Sequence, residues 1–540
     1  MIEGEDHVVH NGEVLPVLSA SAKRMKMMKL LDVPLPTYDT KVPGSLFWTR
    51  TAFWFCRRVS SIQFRTTSST HATPSSSGGA LCCGWHTNGL MDPLGIFLQH
   101  PKEFVVGGRH DLVTRPVLGW WTRKLAVQPV IRKAELLRGG CSEEEAQQLN
   151  GRSLLALAKG IAHGHGCVLF PEGTSHSESH MIRFRTGPIR TVLAAAALAM
   201  ADNMPMPYIQ PVGLHFRRRE YFRTDQYIEF AEPLMIQPSQ IPQTLIEAVK
   251  EGNWVEPPEE VVFQFRDQLQ SVLPQYTPDA PTWDDHAAYH LLGHLRANHD
   301  QQPLNSWKDE VLAARREREQ LAPSPREFPP QPIDVERMAH ARQAAILLNQ
   351  FGLDGRDIHV SNQGLRKFSP IKLVQGTLAL MLMLLTSPVW VTAFGIQLIA
   401  GRLLGDLTDE GLDARTSYQF LAAFFGSLFI WPLIATGWLV AAICFENDIS
   451  TWSNVELNAL HEGPLQQILS AWLIGYVILF FLFFLSGHSF ARGWDAWVDC
   501  RKALTRLSFN QSTRDQLQLH LDELTSQFDE STTKGSVQTG

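Results

Sequence analysis

Three uncharged apolar runs near the C-terminus constrain this 540-residue chain more than any other feature. They are "LVQGTLALMLMLLTSPVWVTAFGIQLIA" (373–400), "FLAAFFGSLFIWPLIATGWLVAAICF" (420–445) and "LQQILSAWLIGYVILFFLFFLSG" (465–487). Each exceeds the about 20 residues that carry a helix across a bilayer. A single run could be a buried core helix; three in succession make an integral membrane protein. The first run is broken by "TSP" (386–388), where Pro388 has no N–H to donate and ends a helix. Each half then has only about a dozen residues, too few to span. Basic residues bear on the same point. Arg366, Lys367 and Lys372 precede the first run, the loop 446–463 has no Lys or Arg, and Arg492, Arg501, Lys502 and Arg506 follow the last run. Three single crossings would place the two basic flanks on opposite sides, against the positive-inside rule. The expected arrangement is a re-entrant hairpin at 373–400 followed by two spans, with 408 on the cytoplasmic side and 455 outside.

Charge is uneven along the rest of the chain. Residues 1–240 carry 26 Lys and Arg against 20 Asp and Glu, and residues 241–540 carry 22 against 34. A mildly basic front half suits phosphate groups or an anionic membrane surface and is too weak to indicate nucleic acid. The cysteines at 56, 82, 83, 141, 167, 444 and 500 have no metal spacing and are expected as thiols. His163 and His165 in "GIAHGHGCV" read as part of a helix-to-strand loop. Residues 1–44 read as a polar lead-in, and "SLFWTRTAFWFCRRV" (45–59) as an interfacial helix in which aromatics alternate with arginines. "TTSSTHATPSSSGG" (66–79) reads as a turn-rich loop. Strand-like and helix-like segments then alternate to about residue 235, an α/β pattern. Residues 241–365 are polar and helical in pattern, with a proline-rich linker at 322–332.

Within the α/β part, "CCGWHTNGLMDPL" (82–94) sets His86 after a predicted strand and Asp92 on the helix that follows. A carboxylate bound to one ring nitrogen leaves the other as an acceptor, which makes the imidazole a general base. No G-x-S-x-G elbow occurs, so a serine acyl-enzyme lacks its nucleophile and a phospholipid hydrolase is disfavoured. The stretch "RHDLVTRPVLGWWTRKLAVQPVIR" (109–132) ends on Arg132, a residue type that clamps phosphate bidentately. "CVLFPEGTSHSESHMIRFRTG" (167–187) ends a strand in a glycine turn with Glu172, Gly173 and Thr174, where backbone amides are available to a ligand. "IQPVGLHF" (209–216) reads as a strand whose proline and glycine permit close approach.

In this order, "HTNGLMD", "VQPVIR", "FPEGTSH" and "PVGLHF" resemble the four motifs of the glycerolipid acyltransferase family. The His-to-Asp spacing and the "FPEGTSHSESHMIRFRTG" stretch resemble the bacterial and fungal-type glycerol-3-phosphate/dihydroxyacetone-phosphate acyltransferase branch. The resemblance implies a mixed sheet flanked by helices, over roughly residues 61–240 of an α/β fold. A helical region at 241–365, a membrane domain at 366–500 and a polar tail at 501–540 complete the expected organisation, with the lead-in and interfacial segment at 1–60. It further implies His86 as base, Asp92 as its orienting partner and Arg132 on the acceptor phosphate. Glu172, Gly173 and Thr174 would position the acceptor, and Pro211 would help shape the acyl channel. Trp85 stands where the family usually has Asn, and Ser175 where many members have Arg, so Arg183 and Arg185 become the candidates to meet phosphate charge. The implied partners are acyl-CoA or acyl carrier protein, a glycerol-phosphate acceptor and a phospholipid membrane, with no cofactor and no metal, and the catalytic domain faces the cytoplasm. Lysophosphatidate as acceptor, or an inactive lipid-binding protein, are the alternatives.

Overall fold

The computed structural model describes residues 8–10, 13–15, 25–38, 41–72, 77–131, 141–322, 328–333, 335–367, 369–407, 412–453 and 457–537. Helix α1 (Leu46–Gln63) runs directly into strand β1 (Phe64–His71). Then come β2 (Ala80–Gly84), α2 (Met91–Gln99), β3 (Phe104–Val105), α3 (Pro116–Lys124), α4 (Glu143–Ala162), β4 (Gly166–Val168) and α5 (Gly187–Ala201). Strands β5 (Tyr208–Phe216), β6 (Thr224–Phe230) and β7 (Leu234–Met235) complete a seven-stranded sheet of order β1-β6-β5-β2-β4-β3, with β7 paired to the start of β5. The sheet is mixed: β5 is antiparallel to β6 and β7, while β1/β6, β5/β2, β2/β4 and β4/β3 pair parallel. All five residues of β2 are buried, as a strand covered on both faces requires.

Local sequence explains the helices. Ser142 and Glu145 form a reciprocal capping box that starts α4. Alanine-rich α5 lets α4 and the helices at Gln243–Lys250 and Glu259–Val272 close over one sheet face around Leu193, Ile209, Leu245 and Phe265. The boundary placed at 240 therefore falls inside one hydrophobic core. Helix α2 covers the other face through Ile96, against Leu214, Ile228 and Phe230. Residues 66–71, read from sequence as loop, are instead an edge strand. Thr66 and Thr67 are exposed and Ser68, Ser69 and Thr70 half-buried, on a sheet that supplies the pairing, which a polar run does not advertise. Residues 27–34 of the lead-in likewise pack, through Leu30 and Val33, against Val127 and Leu149. His163 and His165 do lie in the short turn between α4 and β4.

The polar middle and the tail prove to be one unit. Helices α6 (Trp283–His299), α7 (Trp307–Leu321) and α8 (Glu336–Gln350) are joined by the last helix of the chain, α13 (Gln511–Val537), around Leu292, Leu295, Ala345, Leu521 and Leu524. Residues 323–327 of the proline-rich linker lie outside the described residues, and 328–333 form neither helix nor strand. Arg217, just past β5, latches this bundle to the sheet by pairing Asp225 at 2.7 Å and Glu310 at 2.5 Å. Burial alone would raise the Glu310 carboxyl, but hydrogen bonds from Arg217 and His294 outweigh it and hold the group at about 2.

Between α8 and α13 lie four apolar helices: α9 (Pro370–Leu385), α10 (Ser387–Asp406), α11 (Leu412–Cys444) and α12 (Leu465–Ser508). The break at 386–388 is present, with Thr386 ending α9 and preceding α10. Its halves are unequal, however: α10 has 20 residues and is long and apolar enough to cross a membrane, as are Ala414–Cys444 and Leu465–Ser508. The short-half expectation thus holds for α9 alone, because helix α10 continues past the apolar run as far as Asp406.

Packing directions decide what length does not. Gly376 faces Ala496 and Met383 faces Gly493, so α9 is antiparallel to the polar half of α12. Gln397 faces Gly426 and Gly405 faces Arg415, so α10 is antiparallel to α11. Trp431 meets Phe480, and Thr436 meets the Tyr476 hydroxyl, so α11 is antiparallel to α12. Thr386 is thus a break between two helices with different partners, α9 along the polar half of α12 and α10 along α11. The chain leaves the bundle at α8 and rejoins it at α13, so both ends of the apolar segment lie at that bundle. The loop positions 408 and 455 themselves lie outside the described residues.

Candidate active site

The site forms at the carboxyl ends of β2 and β4, where a largely parallel sheet leaves a crevice. His86 follows β2 by two residues, and its Nδ1 lies 3.0 Å from Asp92 Oδ2. That oxygen also accepts from the Thr87 N–H at 2.8 Å and the Asn88 N–H at 2.7 Å. The five-residue spacer is thus a tight loop wrapped around one carboxylate oxygen, turned by Gly89 at φ 44°. Asp92 sits in the first turn of α2, where a negative charge suits the helix dipole, and it is fully buried. The His86 ring stacks on Phe170 at 4.0 Å and 7°. Its Nε2 has no partner among the described residues, while Nδ1 is engaged, as a general base requires.

Glu172 lies behind the base. One of its oxygens accepts from the His86 N–H at 2.9 Å, and the other from the Ile182 N–H at 3.0 Å with His176 Nε2 at 2.8 Å. The resemblance implied that Glu172 positions the acceptor; this carboxylate is buried, and both its oxygens are engaged in holding the turn to β2. Gly173 takes φ 74°, and a side chain there would approach Arg185 Cγ to 3.3 Å, so Arg185 lies over the turn. Thr174 bonds the Ser175 carbonyl at 3.2 Å, and Arg183 is exposed on the following segment. Pro211 is in the sheet interior opposite Cys83, not at an edge. Arg132 lies outside the described residues.

Several neighbours escaped the sequence reading. Arg219 Nη1 bonds the Thr87 and His176 carbonyls at 2.8 and 3.1 Å, tying together the two loops that carry His86 and Glu172. The first turn of α11 reaches the same loop: Thr416 Oγ1 donates to Asn88 Oδ1 at 2.6 Å, and Ser417 Oγ accepts from the Leu90 N–H at 2.9 Å. Separations beyond 300 residues leave no local pattern to find; only the run "RRRE" (217–220) marked Arg219 as unusual. Among the described residues, no group of three or more His, Cys, Asp or Glu is placed to hold a metal.

Residues 61–215 match the family model described as Acyltransferase. The chain is also similar to glycerol-3-phosphate O-acyltransferase 2 of Saccharomyces cerevisiae (strain ATCC 204508 / S288c), 26% identical over 152 residues. That match covers 28% of this chain and spans about a fifth, 19%, of the yeast protein's length.

Proposed function

We propose, from the match of residues 61–215 to the Acyltransferase family model, that this chain is a membrane-bound O-acyltransferase of phospholipid biosynthesis. It would move a fatty acyl group from acyl-CoA or acyl carrier protein to glycerol-3-phosphate or dihydroxyacetone phosphate. The observation that carries the reading is the His86–Asp92 pair, with one Asp92 oxygen held by three donors. His86 Nε2 takes the proton of the acceptor hydroxyl as the oxygen attacks the thioester carbonyl carbon. The tetrahedral intermediate collapses, the C–S bond breaks, and the thiolate recovers the proton from the imidazolium. Glu172 acts by positioning the His86 backbone. Arg185, beside the Gly173 turn, and Arg183, two residues before Arg185 in the chain, are the groups to meet the acceptor phosphate, with Arg132 as a further candidate. The donors are cytosolic, which puts the catalytic domain, the bundle and the basic flanks on the cytoplasmic side. The test is the full-length protein in proteoliposomes, given labelled acyl-CoA or acyl carrier protein and each acceptor in turn. Labelled monoacyl product from glycerol-3-phosphate or dihydroxyacetone phosphate is expected. Transfer to lysophosphatidate alone would reassign the acceptor, and no transfer to any of the three would overturn the reading.

The contact from α11 gives this reading a second handle. Thr416 and Asn88 are both nearly fully buried, so loss of their hydrogen bond leaves an unsatisfied amide oxygen next to the His–Asp loop. Thr416→Val is expected to lower kcat roughly tenfold, about 1.4 kcal/mol, with little change in donor KM. Thr416→Ser should restore it. An unchanged kcat in the valine variant would reduce the contact to packing.

A further inference from the structure

A cavity of about 270 Å³ opens between α1, β1, α2 and β6; His86, Asp92 and Glu172 do not line it, and Met91, next to Asp92, does. Its chemistry is two-sided. Met91, Leu94 and Leu98 of α2 form an apolar wall, whereas Arg57, Ser61, Arg65 and Thr67 supply polar groups at the rim. On the floor, Gln226 is only 2% exposed, and its Nε2 has no hydrogen-bond partner among the described residues; Ser60 Oγ, also on the lining, is in the same condition. The close seat of α2 on β6 explains the trapped amide. A side chain at Gly95 would come within 2.7 Å of Gln226 Nε2 and 2.8 Å of Ile228 Cδ1. A buried donor without an acceptor costs about 1–3 kcal/mol, so the floor is built for an acceptor that enters from outside. The rim favours that acceptor being an anion. Arg65 meets only the exposed Asp499 at 3.6 Å, a pair worth little in water and readily exchanged.

Position narrows the ligand. Helix α1 lies across both α11 and α12 where they meet the catalytic domain: Phe55 packs on Phe424, Ile62 on Gly487, and Arg58 over Phe484. Phe47 and Trp54 of the same helix are exposed. Aromatics and arginines at the point where apolar helices leave a domain are the pattern of the lipid headgroup layer. We infer that this cleft binds the phosphate headgroup of an anionic phospholipid that is not a substrate, with the first carbons of an acyl chain against Met91, Leu94 and Leu98. Because those three residues stand on the helix that carries Asp92, occupancy steadies the base from behind. The inference uses the proposed membrane-bound state for the lipid's source, whereas the binding itself does not depend on acyl transfer.

Binding is therefore measured on the full-length protein carrying His86→Ala, by calorimetric titration in neutral detergent with short-chain phosphatidylglycerol, short-chain phosphatidylcholine or inorganic phosphate. Phosphatidylglycerol is expected to bind at least about tenfold more tightly than either of the others, because it alone offers both charge and chain. The double variant Arg57→Gln/Arg65→Gln, changed at two exposed positions and so expected to keep its melting temperature, should lose that preference. Equal binding of inorganic phosphate would mean a free anion site, and equal binding of phosphatidylcholine a plain apolar groove; each overturns the proposal. So does a preference that survives the double substitution. In a separate arm, the same double variant with His86 intact is reconstituted in phosphatidylcholine vesicles with and without phosphatidylglycerol. Stimulation of acyl transfer by the anionic lipid should disappear, while activity in phosphatidylcholine alone persists.

Discussion

His86→Ala is expected to lower kcat by roughly two to four orders of magnitude, the range for loss of a positioned general base. Nothing nearby can replace it: Glu172 is buried with both oxygens occupied, and His176 is bonded to Glu172. The ring is partly exposed and makes no fold-critical bond beyond Asp92, so the variant should still insert and melt near the parent temperature. Asp92→Asn should be more instructive. All three donors converge on Oδ2, so the amide oxygen of Asn can keep the bonds from Thr87, Asn88 and Nδ1. It lacks, however, the carboxylate charge that stabilises the imidazolium formed when Nε2 takes the proton. Turnover should fall sharply with little change in acceptor KM. If His86→Ala retained more than about a tenth of the activity, the base would have to lie elsewhere.

The second large effect is all-or-none. Cys444 is exposed at the end of α11 remote from Thr416, whereas Cys500 lies on the polar half of α12, beyond Asp495, which pairs with Arg223 of the catalytic domain. Two crossings place these thiols on opposite faces of the membrane. Cys82, Cys83 and Cys167 need no replacement, since burial pushes their thiols well up and hides them from reagent. With Cys56 and Cys141 changed to Ser, two variants retaining either Cys444 or Cys500 are treated with an impermeant maleimide in sealed vesicles. Cys500 should react from the catalytic face alone, and Cys444 only from the other. Reaction of both from one face would rule out successive crossings by α11 and α12.

Sequence by itself determined the elements whose cause is local. The length and apolarity of 420–445 and 465–487 require membrane helices or a very large core. Pro388 after Thr386 and Ser387 requires a break. The His86-to-Asp92 spacing, with Gly89 to turn, permits a loop that closes on one carboxylate oxygen. Tertiary structure alone decided the features that depend on distant chain. A polar run at 66–71 became a strand because β6 offered it a free edge. Residues 511–528 became the fourth helix of a bundle because Leu521 and Leu524 met Leu292 and Leu295, more than 200 positions away. That return brought both ends of the apolar segment to one bundle, which no count of apolar residues could do. It likewise brought Thr416 and Ser417 onto the catalytic loop and turned Glu172 inward. Burial and hydrogen-bond partners are properties of the packed chain, whereas periodicity and spacing report only on neighbours in sequence.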